Sequence, residues 1–333
     1  MTTTALITGI TGQDGYYLSQ LLLGKGYRVV GLVPPERQSS LAKLEDLAAQ
    51  IDVHVVDLTD AIALQQAVAE LQPQEIYNLA APSFVPASWD DPLGTLDLIT
   101  GTATRLLDGI RQAGLETRFY QASSSEIFGD VQSSPQSETT PFRPKNPYGA
   151  AKLHAHWTMV HHRDRYGLFA CSGVLYNHES PRRPPQFVTR KVTLAAAAIK
   201  LGLCDRLSMG NLGAKRDWGF AGDYVEAMWR MLQAETPEDY VIGTGVLHTV
   251  QDLVATAFAS VDLDWQTYVD VDPTLLRSDE HFQLVADPRK ANTQLQWQPQ
   301  VSFEALIETM VQRDLERLQT GQAAPPAPAR LTP

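Results

Sequence analysis

Along the first two-thirds of the chain, short apolar runs alternate with amphipathic stretches of helical period. Residues 4–8 form one such run, which leads straight into Gly9, Gly12 and Gly15; the following YYLSQLLLGKGY predicts a helix ending at residues 24–26. The pattern then repeats. Strands are predicted over 27–33, 51–56, 75–79, 118–122 and 168–175, with helices over 60–71 and 96–113. Farther on, 187–201, 223–232 and 250–261 predict helices and 240–243 a strand, whereas 176–186 predicts a loop. Strands and helices alternating over short connections imply an α/β fold with a doubly wound parallel sheet, covered by helices on both faces.

Ligands of such sheets collect at the C-terminal ends of the strands, and polar residues fall there. A strand, three glycines and then a helix let a pyrophosphate approach the backbone and rest on the free N–H groups of the helix N-terminus. The spacing, G-x-x-G-x-x-G, suits a Rossmann-type dinucleotide turn by its place after the first strand. The second strand ends in VPPERQSS, where Glu36 would read a ribose hydroxyl and Arg37 a 2′-phosphate, so NAD and NADP are both open. Asp57 follows the third strand, as an adenine contact or as a turn or helix-capping carboxylate.

The fifth strand delivers Ser123, Ser124, Ser125 and Glu126 to the same edge. A proline-punctuated loop then leads to Tyr148 and Lys152, four residues apart and therefore on one face of a helix. A phenol beside a fixed ammonium should ionise more easily, which would suit Tyr148 as a general base near neutral pH. His154, His156, His161 and His162 follow on the same helix; without a cysteine or carboxylate cluster they read as surface or interface residues, and no metal site is expected.

Composition narrows the partners. The 333 residues are 44% hydrophobic and 20% charged, an ordinary globular balance. A net charge of −11 argues against nucleic acid. An anionic ligand would need local clusters, such as the proline-flanked Arg182 and Arg183, which otherwise read as a solvated pair. Two cysteines exclude a disulfide framework. No secretory signal opens MTTTALITG, and no apolar run approaches the roughly 20 residues of a membrane span, so a cytoplasmic protein is expected.

The segments ITGITGQDGYYL, NLAAPSFV, FYQASSSEIFG, NPYGAAKLHAHW, LYNHESPRRPPQFVTRKV, GNLGAKRDWGFAGDYVEAMW and EDYVIGTGVLHTV carry a resemblance. It is to the extended short-chain dehydrogenase/reductase family and, within it, to the GDP-mannose 4,6-dehydratases. NHESPRR and GNLGAKRDW are the most specific of these segments. The resemblance implies a dinucleotide-binding Rossmann domain of residues 1–176 plus about 217–245. It implies a smaller, mainly C-terminal α/β lobe of about 177–216 and 246–318 for the sugar nucleotide, and 319–333 reads as a flexible tail. It assigns catalysis to Ser124, Glu126, Tyr148 and Lys152.

By the same resemblance, Gly9, Thr11, Gly12, Gln13, Asp14, Gly15, Arg37, Asp57, Leu58, Leu79, Ala80, Ala81, Ser83, Tyr148, Lys152, His178 and Arg183 hold NADP or NAD. Ser83, Ser124, Glu126, Asn177, Val188, Lys191, Gly210, Arg216, Arg277 and Glu280 hold GDP-mannose. For Arg277 and Glu280 a helical salt bridge is the other reading. Asp217 and Trp218 read as a brace between the lobes. The implied assembly is a homotetramer or homodimer, with no membrane or nucleic-acid partner.

The implied reaction oxidises C4, eliminates water across C5 and C6, and returns hydride to C6. Glu126 separates it from epimerisation, which needs no base near C5, although related decarboxylases also carry a glutamate there. An epimerase, a decarboxylase and a non-catalytic cofactor-binding scaffold remain the alternatives. Three features depart from the family pattern: Ser124 stands in place of threonine, VPPERQSS replaces an arginine pair, and Gly94 replaces an aromatic residue, while Pro184 and Pro185 alter the arginine loop.

Overall fold

A computed structural model describes residues 2–275 and 283–322. Its chain order begins β1 (Thr4–Thr8), α1 (Gln13–Gly24), β2 (Arg28–Val33), β3 (Asp52–Val55), α2 (Ala61–Leu71) and β4 (Glu75–Asn78). It continues α3 (Pro92–Leu96), α4 (Thr102–Ala113), β5 (Arg118–Ala122), α5 (Pro147–Tyr166), β6 (Ala170–Leu175), β7 (Asn177–Glu179) and α6 (Val188–Lys200). Then come β8 (Leu207–Met209), β9 (Lys215–Arg216), β10 (Trp218–Phe220), α7 (Ala221–Gln233) and β11 (Tyr240–Ile242). The chain closes with β12 (His248–Thr249), α8 (Val250–Ala259), α9 (Trp265–Tyr268), β13 (Val269–Val271), α10 (Arg289–Gln294) and α11 (Phe303–Gln319).

Seven strands form one sheet in the order β11-β6-β5-β4-β1-β2-β3, every neighbouring pair parallel. The order reverses direction at β1, which places a crevice at the C-terminal ends of β1 and β4. β1, β4 and β6 are buried along their whole length, as expected of strands covered on both faces. Alternate side chains feed two cores: Ile7 and Val29 pack with Leu18 and Leu22 of α1 and Met228 of α7, while Leu6 and Val30 pack with Leu64 of α2, Leu107 of α4 and Met159 of α5. A further apolar cluster joins α6, α8 and α11 through Val192, Leu253, Phe258, Leu306 and Met310, with Trp218 at its edge.

Local signals set the helix limits. Asp60 caps α2 by accepting from the N–H groups of Ile62 and Ala63. Asn146 caps α5, and Pro147 follows at the first helical position, where a missing N–H costs nothing. Thr249 and Asp252 close a reciprocal capping box on α8.

Two expectations are corrected here, and one element is added. Residues 176–186 are not all loop: Asn177–Glu179 pairs in parallel with Trp218–Phe220, a contact forty residues away that leaves no local pattern. The helix expected over 96–113 starts at Pro92 and contains a π-helical turn, Asp97–Gly101, so its register shifts midway. A 3-10 segment, Pro35–Gln50, follows β2.

Candidate active site

The glycine turn after β1 is shaped by contacts that exclude side chains. Gly9 has φ +70°, and a Cβ there would lie 2.9 Å from the Ala80 nitrogen; a Cβ on Gly15 would lie 2.5 Å from the Gly9 oxygen. Thr8 Oγ1 accepts from the N–H groups of Leu79 and Ala80, both at 3.1 Å, and so binds the β4 turn to the β1 turn. Gly12 leaves the N-terminus of α1 without a side-chain cap. Thr11 Oγ1 accepts from Ser40 Oγ at 2.9 Å, which lays the 3-10 segment over the turn.

Gln13 and Asp14 tie the first turn of α1 to β7. Gln13 donates to the His178 carbonyl at 3.0 Å and accepts from Ser180 Oγ at 2.7 Å. Asp14 Oδ2 and His178 Nε2 are 2.9 Å apart, while His178 Nδ1 meets the Tyr176 carbonyl at 2.8 Å and the ring stacks on Tyr224. Burial opposes the charged form of both groups, but their attraction outweighs it: Asp14 is held below and His178 above its ordinary value.

The Asp14 half of that stabilisation is present above pH 3.8 and is lost as pH falls through its lower folded value; the His178 half is present below pH 6.5 and is lost as pH rises through its higher folded value. Asp14→Asn should therefore cost about 1.5–3 kcal/mol between those limits and less on either side. Urea unfolding across a pH series checks this; a cost independent of pH would reject it.

At the β5 end, Ser124 caps a 3-10 turn, Ser125–Ile127, and accepts from the Glu126 N–H at 3.3 Å. Its side chain also acts on Tyr148, whose pKa it draws down. Glu126 Oε2 accepts from Asn146 Nδ2 at 2.7 Å. Lys152 Nζ donates to the Ala122 carbonyl at 2.7 Å and sits 5.6 Å from the Tyr148 ring centre. Ser124, Glu126, Tyr148 and Lys152 are thus brought together by β5, the turn after it and α5.

The expected direction of the Tyr148 pKa is reversed. Burial pushes it well above its ordinary value, against which the Ser124 hydrogen bond and the Arg183 charge pull down, while the Glu126 charge adds to the rise. Burial likewise lowers Lys152 to about 8, with the Asp14 charge opposing. A lysine one turn away does not by itself activate a phenol that has been removed from water.

Other expected site residues are distributed around this centre. Glu36 and Arg37 are exposed at the start of the 3-10 segment. Asp57 accepts from the Thr59 N–H and hydroxyl, both at 2.8 Å, which makes it a turn carboxylate; the Leu58 carbonyl accepts from Thr102. Ala81 and Ser83 continue the loop after β4, with Ser83 exposed. Gly94 lies exposed in α3, where its N–H donates to the capping Asp91 carboxylate at 2.9 Å. Val188 opens α6, and Lys191 donates to the Ser208 carbonyl at 2.7 Å, its pKa lowered by burial. Gly210 packs against the Leu275 carbonyl, and Arg216 on β9 pairs with His248 on β12. Asn177 stands on β7. Arg277 and Glu280 lie outside the described residues.

The arginine loop is less open than a free anion clamp. Arg182 meets Glu45 at 2.7 Å and the Lys43 carbonyl at 2.8 Å, and covers the Tyr16 ring. Arg183 Nε lies 3.1 Å from Glu179 Oε2 without the alignment of a hydrogen bond, its guanidinium over Phe187. Arg190, which the sequence did not single out, donates to both oxygens of the fully buried Asp314 at 2.8 and 2.9 Å and to the carbonyls of Pro181 and Arg183. His156, expected at the surface or an interface, is buried within the chain against Phe142 and Trp157 because it shares the inward face of α5 with Ala155 and Met159. Asp217 accepts from the N–H groups of Thr244, Gly245 and Ala286, joining three segments. Among the described residues no cluster of His, Cys, Asp or Glu is placed to hold a metal ion.

This geometry can be set beside known proteins. A family profile described as GDP-mannose 4,6 dehydratase matches residues 6–310. The chain belongs to that family. It is 48% identical to GDP-mannose 4,6 dehydratase 2 of Arabidopsis thaliana over 324 residues, 94% of this chain and 87% of the relative. It is 44% identical to the human GDP-mannose 4,6 dehydratase, covering 96% of this chain and 93% of that protein. The fold matches a dTDP-glucose 4,6-dehydratase from Streptomyces venezuelae, solved with NAD, at TM-score 0.83 and 23% identity, covering 97% of this chain and 99% of that one. A UDP-glucose 4-epimerase from Thermotoga maritima matches at TM-score 0.85 and 22% identity, covering 95% and 100%.

Proposed function

We propose that the chain is a sugar-nucleotide lyase that converts GDP-mannose to GDP-4-keto-6-deoxymannose. Family membership supports the substrate, and one observation carries the chemistry: a carboxylate, Glu126, held by Asn146 and close enough to Tyr148, as Ser124 is, to act on its pKa. Oxidation alone would need the two hydroxyls and Lys152; elimination needs a further base near C5.

A dinucleotide fits the glycine turn. The close approach at Gly9 and Gly15 leaves backbone where a Cβ would clash, and the uncapped N-terminus of α1 offers N–H groups to a pyrophosphate. Arg37 is solvent-exposed, which favours NADP, with Glu36 keeping NAD open. When bound, the nicotinamide supplies the redox chemistry at C4 and C6, and is restored in each cycle.

The chain's own residues then have separate tasks. Ser124 donates to the oxygen at C4, and Tyr148 takes its proton. Lys152, already held by Ala122, orients the ribose and lends its charge to the phenolate. Glu126 takes the proton from C5 while the electron pair forms the C5–C6 double bond and the C6–O bond breaks. That proton leaves with the C6 hydroxyl as water, so Glu126 returns as a carboxylate, and the proton that Tyr148 took from the C4 hydroxyl balances the one C5 regains once hydride has reached C6.

The two-lobe division expected from sequence is kept as part of this reading, with the α6–α8–α11 cluster as the core of the substrate lobe. So is a homo-oligomer: α3 packs against α5, and exposed Leu93 and Leu96 on one and Trp157 on the other offer apolar surface to a second copy. Two free cysteines suit a cytoplasmic, reducing setting, and among the described residues no helix is long and apolar enough to cross a membrane.

Incubation with GDP-mannose, GDP-glucose and UDP-glucose in the presence of NADP tests the function. Mass spectrometry should find loss of one water from GDP-mannose only. No loss from any of the three would overturn the proposal. Sedimentation of the same preparation reports the assembly, and a monomer would reject that part.

A further inference from the structure

We infer that Asn146 is a positioning residue for the elimination step, locking the Glu126 carboxylate relative to the helix that carries Tyr148 and Lys152. The inference rests on the dehydratase reading above. Its basis is one side chain with two contacts of opposite polarity. Asn146 Oδ1 accepts from the Gly149 N–H at 2.7 Å, capping α5, while Nδ2 donates to Glu126 Oε2, also at 2.7 Å. The amide orientation is therefore fixed by both neighbours: neither the N–H of Gly149 nor the carboxylate of Glu126 could accept a flipped Asn146.

The two elements also meet through backbone. A Cβ on Gly149 would lie 2.6 Å from the Glu126 carbonyl oxygen, so the first turn of α5 abuts the turn after β5 with no room for a side chain between them. Backbone contact sets the distance between the elements, and Asn146 sets the rotation of the carboxylate. With Oε2 engaged, Oε1 is the oxygen free to face C5. A glutamate has three rotatable bonds, and a carboxylate that must be oriented anew in each turnover loses rate that fixed geometry supplies.

The role differs from simple capping because the two functions can be separated. Asn146→Ser keeps a good N-cap oxygen but is too short to reach Glu126. Asn146→Asp keeps the cap and sets a second carboxylate against the first. In single-turnover experiments with GDP-mannose, absorbance of the reduced nicotinamide reports oxidation at C4, and exchange of the C5 hydrogen with solvent deuterium reports elimination.

Asn146→Ser should slow exchange and water loss roughly tenfold to a hundredfold while oxidation changes by less than about twofold, so that reduced cofactor accumulates. Asn146→Asp should slow elimination further, with KM close to wild type in both. Equal slowing of both steps, or wild-type elimination in Asn146→Ser, would overturn the inference. An absence of water loss in the wild-type protein would overturn the dehydratase reading and the inference with it, and that failure is visible before any variant is made.

Discussion

Glu126→Gln should bind both ligands as the wild type does and should all but stop releasing water from the sugar. Glutamine preserves the shape and still offers an oxygen to Asn146 Nδ2, so the turn after β5 has no reason to move. What it lacks is basicity. Removing a general base costs typically about 10²–10⁴-fold, and the loss should fall on kcat with substrate affinity unchanged. Titration calorimetry for binding and mass spectrometry for product measure the two quantities on one sample. Product formation at the wild-type rate would remove Glu126 from the mechanism; loss of binding along with turnover would make it a structural residue.

Asp314→Ala should produce the largest loss of stability among single substitutions outside the apolar cores. The Asp314 carboxylate is fully buried and receives Arg190 through both oxygens and Thr193 Oγ1 at 2.8 Å. Its removal strands a buried guanidinium, which costs about 3–5 kcal/mol. The double change Arg190→Met with Asp314→Leu should recover most of that, since a buried pair replaced by apolar groups of similar volume is close to neutral. Arg190 also holds the carbonyls of Pro181 and Arg183, so the double variant should regain stability while its arginine loop stays loose. Urea midpoints give the first comparison; a loss below about 1 kcal/mol would mean that the pair is solvated in solution.

The parallel sheet was legible because its strands are continuous apolar runs, and glycine or a capping residue marks most helix ends. Tyr148 and Lys152 were legible as a pair because the helical period alone puts them on one face. What escaped shares one cause: it depends on residues distant in sequence. β7 is three residues long, all of them polar or charged, and exists only through its pairing with β10. Arg190 and Asp314 are separated by 124 positions, and each looks like a solvated charge on its own helix. Asn146 went unnoticed, because its contact with Glu126, twenty residues upstream, leaves no local pattern. The expected ease of ionisation of Tyr148 failed for another reason: the sequence shows a neighbouring charge and does not show burial, which dominates until the ligands are bound.

The cations around the proposed phosphate sites reach them already accompanied. His178 has Asp14, Arg182 has Glu45 and Arg183 has Glu179, all from the same chain. A phosphate bound there would have to displace a carboxylate instead of neutralising a bare charge. Binding would then be an exchange of partners, nearly balanced in charge, which would limit how tightly a stray anion can lodge. An acidic protein can in this way handle two highly charged ligands at once without becoming a trap for either.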